Sequence, residues 1–533
     1  MRFFWNLIRV LAALVALAAA PLAIWWTFET EHFARYWAAL VMPFAGVGLL
    51  VLWYLFFGWG TWERRWGIVW KLGVAAVVTG LIFNALTRYD GSTGGTSLPR
   101  FVWRWAPATT PTQAALPADE GEVLPKPLAE PRVEGVVDSP QFFGPNRDAT
   151  WPADGVIASL DWNTEKPEEL WRRPIGQGWS GFAVVGRRAL TQEQRGAEEW
   201  VTCYDLLTGD LLWAHRDVAR FFDSAEAVAR EMAGDGPRSV PTVHGDHVFT
   251  YGATGLLNCL RLETGQLVWQ RNVLEELDKP LPKWGKSTSP LVDPERQIVI
   301  VSAGESGGPS LVAYETETGT EAWRSGGKGA SYSSPRLISL HGVTQIVSVN
   351  QYDVTGHDPA TGQEWWTFPW PGVNPKVGQP IELPGSRLLV TASYGAGSFL
   401  LQVKHESGAW SVEQVWETLR LKTKFSSVTV RDGHAYGLDE GRLACVNLAD
   451  GSRVWKDGKY GFGQHLQVGD RLLVQAEEGY LAVVAATPER FEELARLPAL
   501  TSMTWNPPTL AGRYLLVRND REAVCFRLPA KAK

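Results

Sequence analysis

The chain has 533 residues, of which 45% are hydrophobic, and it carries a formal net charge of −6. This length suffices for one large domain with an accessory region, and the mildly acidic balance gives no electrostatic basis for nucleic-acid binding. Its four cysteines stand at matching places in different copies of a repeat, so we interpret them as buried core residues and expect no disulfide framework.

Three apolar runs open the chain, at 7–28, 36–59 and 67–86, and each is long enough to cross a hydrocarbon core of about 30 Å. The first run ends in Ile24-Trp25-Trp26 instead of a small-residue cleavage site, which favours a membrane span over a signal peptide. Tryptophans near the run ends are typical of an interfacial belt. We predict a membrane anchor of three transmembrane α-helices over residues 1–88.

Basic residues predict the orientation of this anchor. Arg2 and Arg9 flank the first run, and Arg64 and Arg65 lie in the second loop, so the positive-inside rule places both regions in the cytoplasm. With three membrane crossings, the rest of the chain is predicted to lie on the periplasmic side of a bacterial inner membrane. Residues 89–140 are punctuated by prolines and are interpreted as a semi-extended, Pro-rich linker.

A short pattern then recurs, in which glycine lies six residues and tryptophan ten residues after a small residue. A fixed repeat indicates one supersecondary unit, copied because each copy is too small to bury its own core. The unit is a strand, a Thr-Gly turn and a second strand, which is typical of a β-propeller blade. The copies begin at Cys203, Cys259, Ala313, Gly356 and Cys445.

We count eight blades within residues 141–530, with seven as the alternative. The first blade is enlarged by an insert around 191–199, the fifth has a degenerate turn at Ser407-Gly408, and the seventh has lost its tryptophan. The last blade lacks an outer strand, while the strand at Trp171 has no blade before it. Pairing of these two ends would close the ring and remove its open edges.

The recurring glycines and tryptophans are interpreted as structural. Glycine accepts positive φ in a tight turn, and tryptophan offers a large apolar surface that packs between neighbouring blades. The structural blade tryptophans are Trp171, Trp213, Trp269, Trp323, Trp366, Trp416 and Trp455.

The repeat resembles the tryptophan-docking motif, Ala-x-Asp-x-x-Thr-Gly-x-x-x-Trp, of the pyrroloquinoline quinone (PQQ) repeat family. The resemblance covers about residues 140 to 530, and Gln141-Phe-Phe-Gly-Pro-Asn-Arg147 looks most like uncharacterised BamB-like bacterial propellers. It implies an all-β, eight-bladed propeller of the quinoprotein dehydrogenase-like type. The family includes PQQ-dependent dehydrogenases and non-catalytic propellers, so the motif is specific for the fold and not for the function.

The residues that such a dehydrogenase would carry are not found in the sequence. It has no adjacent cysteines, no Trp-Asp dipeptide and no Cys-x-x-Cys-His, and we match no calcium-ligand motif. We therefore expect no catalytic residues, no metal site and no cofactor. PQQ with Ca²⁺ is the alternative, because membrane-bound glucose dehydrogenases also join N-terminal spans to such a propeller.

One candidate ligand site lies where the segments that lead into the innermost strands line a mouth of the central channel. A ring of cations and aromatic rings there could hold an anionic or planar ligand. The alternative is an ordinary rim over a water-filled funnel. Its members are Trp179, Arg238, Lys286, Tyr332, Lys376, Lys424, Phe425, His465 and Trp505.

These features favour an inner-membrane protein whose propeller stands in the periplasm as a non-catalytic binding or assembly scaffold. Propeller faces offer broad, rigid surfaces built from loops, which suit periplasmic or membrane protein partners. One alternative is a PQQ-dependent membrane-bound oxidoreductase. A second alternative is a small-ligand or carbohydrate sensor that the spans hold at the membrane.

Overall fold

The computed structural model describes residues 46–48, 51–56, 58, 60–93, 98–105, 125–128, 130–152, 158–221, 234–304, 307–372 and 375–530. The chain divides into two compact units, Met1–Thr110 and Pro111–Lys533. The predicted span 7–28 lies outside the described residues, and the span 36–59 lies outside them in large part. Of the three predicted spans, only 67–86 is therefore fully described.

Within the first unit, one described helix is long and apolar enough to cross a membrane: α1 (Trp62–Leu86) has 25 residues, none of them buried. It contains the predicted span 67–86. The helix runs directly into an antiparallel hairpin formed by β1 (Thr87–Thr93) and β2 (Leu98–Trp103). A hairpin thus occupies the start of the predicted linker, because Phe101, Trp103 and their neighbours give β2 a strand composition.

The second unit is an eight-bladed β-propeller, as the repeat predicts. Two strands, β3 (Thr150–Trp151) and β4 (Glu168–Pro174), precede its first complete blade. In each of blades 1 to 4, four antiparallel strands follow the chain from the innermost to the outermost position. They are β5 (Ala183–Val185), β6 (Arg188–Arg195), β7 (Glu198–Asp205) and β8 (Leu211–Asp217); β9 (Thr242–His244), β10 (His247–Tyr251), β11 (Leu256–Arg261) and β12 (Leu267–Asn272), which the short helix α2 (Val273–Glu276) follows; β13 (Leu291–Asp293), β14 (Ile298–Ser302), β15 (Leu311–Glu315) and β16 (Glu321–Ser325); and β17 (Arg336–Leu340), β18 (Val343–Val349), β19 (Asp353–His357) and β20 (Glu364–Pro369).

Blades 5 and 6 repeat this order, blade 7 gains β3 as a parallel strand at its inner edge, and blade 8 takes β4 as its outer strand. Cys525 pairs with Trp171 across that last junction, so the two ends of the domain share one sheet. The remaining strands are β21 (Ile381–Leu383), β22 (Arg387–Ala392), β23 (Gly397–Glu406), β24 (Ala409–Thr418), β25 (Thr429–Arg431), β26 (His434–Asp439), β27 (Arg442–Asn447), β28 (Arg453–Asp457), β29 (Gln464–Val468), β30 (Arg471–Gln475), β31 (Tyr480–Ala485), β32 (Glu493–Pro498), β33 (Thr509–Ala511), β34 (Tyr514–Arg518) and β35 (Glu522–Arg527).

The first blade departs from the prediction of an insert around 191–199. These residues prolong β6 and β7, which pair continuously from Arg188 opposite Asp205 to Arg195 opposite Glu198. The polar side chains of residues 191–194 are buried, which explains why the segment does not look like a strand by hydrophobic alternation.

The motif tryptophans join each blade to the next one. Six of them donate the indole Nε1–H to a backbone carbonyl in the turn of the following blade, at distances of 2.8 to 3.2 Å. In five of the six joints a glycine of that turn lies under the indole ring, and a Cβ atom at Gly265 would stand 2.3 Å from the Trp213 ring. The exception is Trp366, which bonds Gln345 Oε1 in its own blade at 2.7 Å.

A segment from Ser139 to Trp151 closes the end of the channel opposite the mouth. Ser139 bridges to Val184 of blade 1, and the Pro140 carbonyl accepts from the Val243 N–H of blade 2. The Arg147 guanidinium donates to the Pro290 carbonyl of blade 3 at 2.8 Å. The ring therefore has a floor made by the N-terminal part of the domain.

Candidate functional site

A cavity of about 150 Å³ lies at the mouth of the central channel. Each of the eight blades contributes lining residues, from the start of its inner strand or from the segment that precedes that strand. Most of the wall is aromatic or otherwise apolar, and Phe142 from the floor segment belongs to it. The lining residues are Phe142, Trp179, Arg238, Trp284, Ser287, Ser289, Tyr332, Ser334, Pro375, Val377, Phe425, Gln464, Trp505 and Pro507.

The aromatic wall is packed on itself. The Trp505 ring centre lies 4.9 Å from that of Trp179 and 4.9 Å from that of Phe425. Across the mouth, Trp284 and Tyr332 lie 5.6 Å apart. Trp505 also donates its Nε1–H to Glu477 Oε1 at 2.8 Å, which holds the indole in one orientation. These contacts make a rigid, preformed apolar surface.

Five members of the predicted ring line this cavity together: Trp179, Arg238, Tyr332, Phe425 and Trp505. Arg238 is the cation among the described lining residues, and it donates to the Gly234 and Gly236 carbonyls while its guanidinium lies 4.6 Å from the Phe221 ring centre. The mouth is therefore far less cationic than the sequence predicts.

Lys286 and Lys376 do not line the cavity, because the ammonium group of Lys286 turns into blade 3, which it precedes, and that of Lys376 turns into blade 4, the preceding blade. Lys286 Nζ donates to Ser302 Oγ at 2.9 Å and to a backbone carbonyl beside it. Lys376 Nζ donates to the Gln351 carbonyl, and burial lowers the pKa of Lys376 to about 8. Sequence position alone does not reveal these directions, since the acceptors of Lys286 lie later in the chain and that of Lys376 lies in the preceding blade.

Lys424 and His465 also lie outside the cavity wall. The Lys424 ammonium lies 4.5 Å from the Phe462 ring centre and 4.9 Å from that of Tyr394. His465 is buried beside Thr429, whose Oγ1 lies 3.2 Å from His465 Nε2, and burial lowers the pKa of His465 to about 4. This histidine is therefore neutral at pH 7 and contributes no charge to the mouth.

Two aromatic lining residues, Trp284 and Phe142, were not predicted from the sequence. Trp284 stands two residues before Lys286, so a search of the whole segment before each inner strand would have found it. Phe142 carries no such signal. It reaches the cavity only because the floor segment crosses the channel, which depends on tertiary pairing.

The cavity residues do not fit PQQ. That quinone carries several carboxylates and is polarised by a bound metal, yet the described lining residues offer one guanidinium and an apolar wall. Among the described residues, no group of three or more His, Cys, Asp or Glu side chains could hold a metal ion. The four cysteines are free, buried and distributed over four blades. We therefore derive no step through a quinone.

The fold and the cavity at the mouth define an eight-bladed β-propeller with an aromatic central cavity. A family model described as "Outer membrane protein assembly factor BamB" matches residues 197–457. These similarities support a PQQ-like propeller repeat family for the chain.

One curated relative is the Outer membrane protein assembly factor BamB of Shewanella oneidensis. It is 25% identical over 370 residues, which cover 60% of this chain and 89% of the relative. Two solved structures share the fold. A europium-containing methanol dehydrogenase has a TM-score of 0.54 at 13% identity, over 74% of this chain and 98% of that one. A quinohemoprotein alcohol dehydrogenase from Comamonas testosteroni has a TM-score of 0.51 at 12% identity, over 74% and 81%.

Proposed function

We propose that the protein is a membrane-anchored, non-catalytic scaffold that binds protein partners at the mouth of its propeller, on the periplasmic side of an inner membrane. The observation that carries the proposal is the aromatic cavity, to which all eight blades contribute. A buried cluster of tryptophan, tyrosine and arginine side chains is the composition that carries most of the free energy in protein interfaces. The curated relative, described as an assembly factor, supports the same class of function.

The size of the cavity favours a side chain over a large cofactor. About 150 Å³ accommodates one bulky apolar side chain, and the Arg238 guanidinium lies beside it for a polar or anionic neighbour on the same partner. The apolar helix α1 supports the membrane anchor, by length and composition. Inner-membrane localisation follows from the positive-inside argument and belongs to the proposal.

The test is partner capture from membranes with the full chain and a matched pair of variants. Trp284→Ala removes a half-buried indole at the mouth, whereas Trp410→Ala removes a half-buried indole on the outer hairpin of blade 5. We expect crosslinked partner to fall about tenfold or more in Trp284→Ala and to stay unchanged in Trp410→Ala. Equal recovery with both variants would contradict binding at the mouth.

A titration separates the scaffold from the two other functions. PQQ with Ca²⁺ is added to the protein while tryptophan fluorescence and calorimetric heat are followed, and a sugar panel is tested in the same way. Saturable quinone binding at micromolar concentration, with dye-linked dehydrogenase activity, would replace the scaffold with an oxidoreductase. Saturable sugar binding would replace it with a carbohydrate sensor.

A further inference from the structure

We propose that the β1–β2 hairpin is a second membrane-contacting element, whose exposed aromatic and basic side chains bind the phospholipid headgroup layer. The proposal rests on the proposed membrane anchor. It adds a surface that lies outside the apolar span, and it commits to one occupant, a phospholipid bilayer surface.

The hairpin follows helix α1 with no connecting residues and is hydrogen-bonded to its C-terminal end. β1 begins at Thr87, directly after the last helical residue, Leu86. The last carbonyls of a helix lack partners within the helix, and here the hairpin supplies donors to them. The Arg104 backbone N–H donates to the Leu86 carbonyl at 2.9 Å, and Arg104 Nε donates to the Asn84 carbonyl at 3.1 Å. Wherever this end of the helix lies in a bilayer, the hairpin lies with it.

The length of the helix places that end at the headgroups. Twenty-five residues extend about 37 Å at the α-helical rise, which exceeds a hydrocarbon core of about 30 Å. The opposite end already carries exposed indoles at Trp62 and Trp66. Tryptophan is enriched at both membrane–water interfaces, so a spanning helix needs a matching belt at its Leu86 end.

The hairpin supplies such a belt. Trp103 is 54% exposed, Trp105 69% and Phe101 49%. The two indoles stack at 5.3 Å with their planes 10° apart, so together they present one broad ring surface. Phe101 packs edge-on against Phe83 of the helix at 5.1 Å, which continues the apolar surface of the span into the hairpin. Arg104, which lies between the two tryptophans in the sequence, is exposed, and its positive charge is attracted to lipid phosphates.

The buried native cysteines allow a site-specific test in the full chain. All four lie inside the propeller, so a single introduced cysteine is the accessible thiol among the described residues. Trp103→Cys and Trp105→Cys report on the hairpin, Val78→Cys on the middle of the helix, and Ser411→Cys on an exposed strand of blade 5. Each variant is labelled with an environment-sensitive fluorophore and placed in phospholipid nanodiscs. Lipids that carry a quencher near the headgroup or deep in the acyl chain then measure depth.

We expect headgroup-level quenching of the labels at 103 and 105 to exceed that at 411 by about threefold or more, while the label at 78 responds to the deep quencher. If the label at 78 responds and those at 103 and 105 match 411, the helix is inserted and the hairpin inference is overturned. If the label at 78 does not respond, the anchor itself fails and the inference fails with it. The two failures are therefore distinguishable.

Discussion

The Glu199 carboxyl group is buried between blades 1 and 2, directly opposite Asp217 in the paired strands β7 and β8. Its Oε1 accepts from the Ala253 N–H at 3.2 Å. The Asp217 oxygens accept from Asn258 Nδ2 at 2.6 Å and from Gln270 Nε2 at 2.7 Å. Burial first, and then the neighbouring Asp217 carboxylate, raise the pKa of Glu199 to about 8. The folded protein therefore holds a proton here at neutral pH.

This proton makes stability depend on pH with a definite sign. Between the ordinary glutamate pKa of 4.5 and the folded value of about 8, the unfolded chain has lost the proton while the folded chain keeps it. The free energy of unfolding therefore decreases as pH rises through this window, by the equivalent of about one proton. Glu199→Gln cannot lose a proton, so we expect its unfolding free energy to fall less between pH 5 and 8.

Urea unfolding of the wild type and Glu199→Gln at several pH values measures this difference. Glu489→Gln serves as the control, because that residue is exposed on a surface turn of blade 7. Parallel pH profiles for Glu199→Gln and the wild type would show that Glu199 is ionised in the folded state. A flatter profile in the control as well would assign the effect to net charge instead.

At the scale of elements, the joint between neighbouring blades is a contact in which the tryptophan indole of one blade packs on the turn glycine of the next. Gly265 has φ +71°, and a Cβ atom there would stand 2.3 Å from the Trp213 ring. The position therefore requires glycine both for its backbone conformation and for the space that the indole occupies. Gly245 has φ +60° with no atom within 4 Å of an added Cβ, so it demands glycine for backbone reasons alone. Substitution of these two glycines therefore separates the free-energy cost of backbone strain in a turn from the cost of disturbing the contact between blades.

We expect Gly265→Ala to lower the free energy of unfolding by about 2–5 kcal/mol, since backbone strain and a displaced indole add together. Gly245→Ala should cost about 1–3 kcal/mol, which is the strain alone. Denaturant unfolding, with near-ultraviolet circular dichroism as a probe of the indole packing, measures both. Equal costs for the two variants would mean that the Trp213 indole moves aside freely.

The same joints explain what the sequence could predict. The spacing from Cys259 to Gly265 and Trp269 recurs because each copy makes the same contact with the next blade, so a periodic sequence implies a periodic fold. Trp366 occupies the tryptophan position of the repeat, but its indole does not donate to the turn of the following blade. The long hairpin of blade 5 turns at Ser407-Gly408, and Gly356 leaves room for the indole in its own blade instead.

The candidate site was predicted less well, for a physical reason. The segments that enter the mouth are set by the repeat, so Trp179 and Trp505 could be located from the sequence. The direction of a long side chain is set by its acceptors, and those of Lys286 lie 16 and 17 residues further on, at the end of β14. The hairpin after α1 was missed because Pro99 within β2 and the prolines after the hairpin suggest an irregular chain.

At the scale of the whole molecule, the ring is closed by residues from both ends of the domain. β4 completes blade 8, and the floor segment spans blades 1 to 4 and blade 7. Arg518 of blade 8 donates to Thr191 Oγ1 of blade 1 at 2.7 Å and to the Gly176 carbonyl at 2.9 Å. Burial lowers the pKa of Arg518 to about 10, and nearby Glu193 opposes that change. The junction between last and first blade thus includes a buried, fully bonded ionic network.

Three truncated chains test how much each closing element contributes. A chain of residues 125–533 keeps every described contact of the propeller and should be monomeric with a single cooperative melting transition. Residues 152–533 lose the floor, with the Arg147 and Phe142 contacts, so we expect a folded protein with a lower melting temperature. Residues 175–533 also lose β4, which leaves β35 as an unpaired edge and should cause aggregation. Gel filtration and thermal melts distinguish these outcomes, and a monomeric, cooperatively melting 175–533 chain would show that β4 is not required to close the ring.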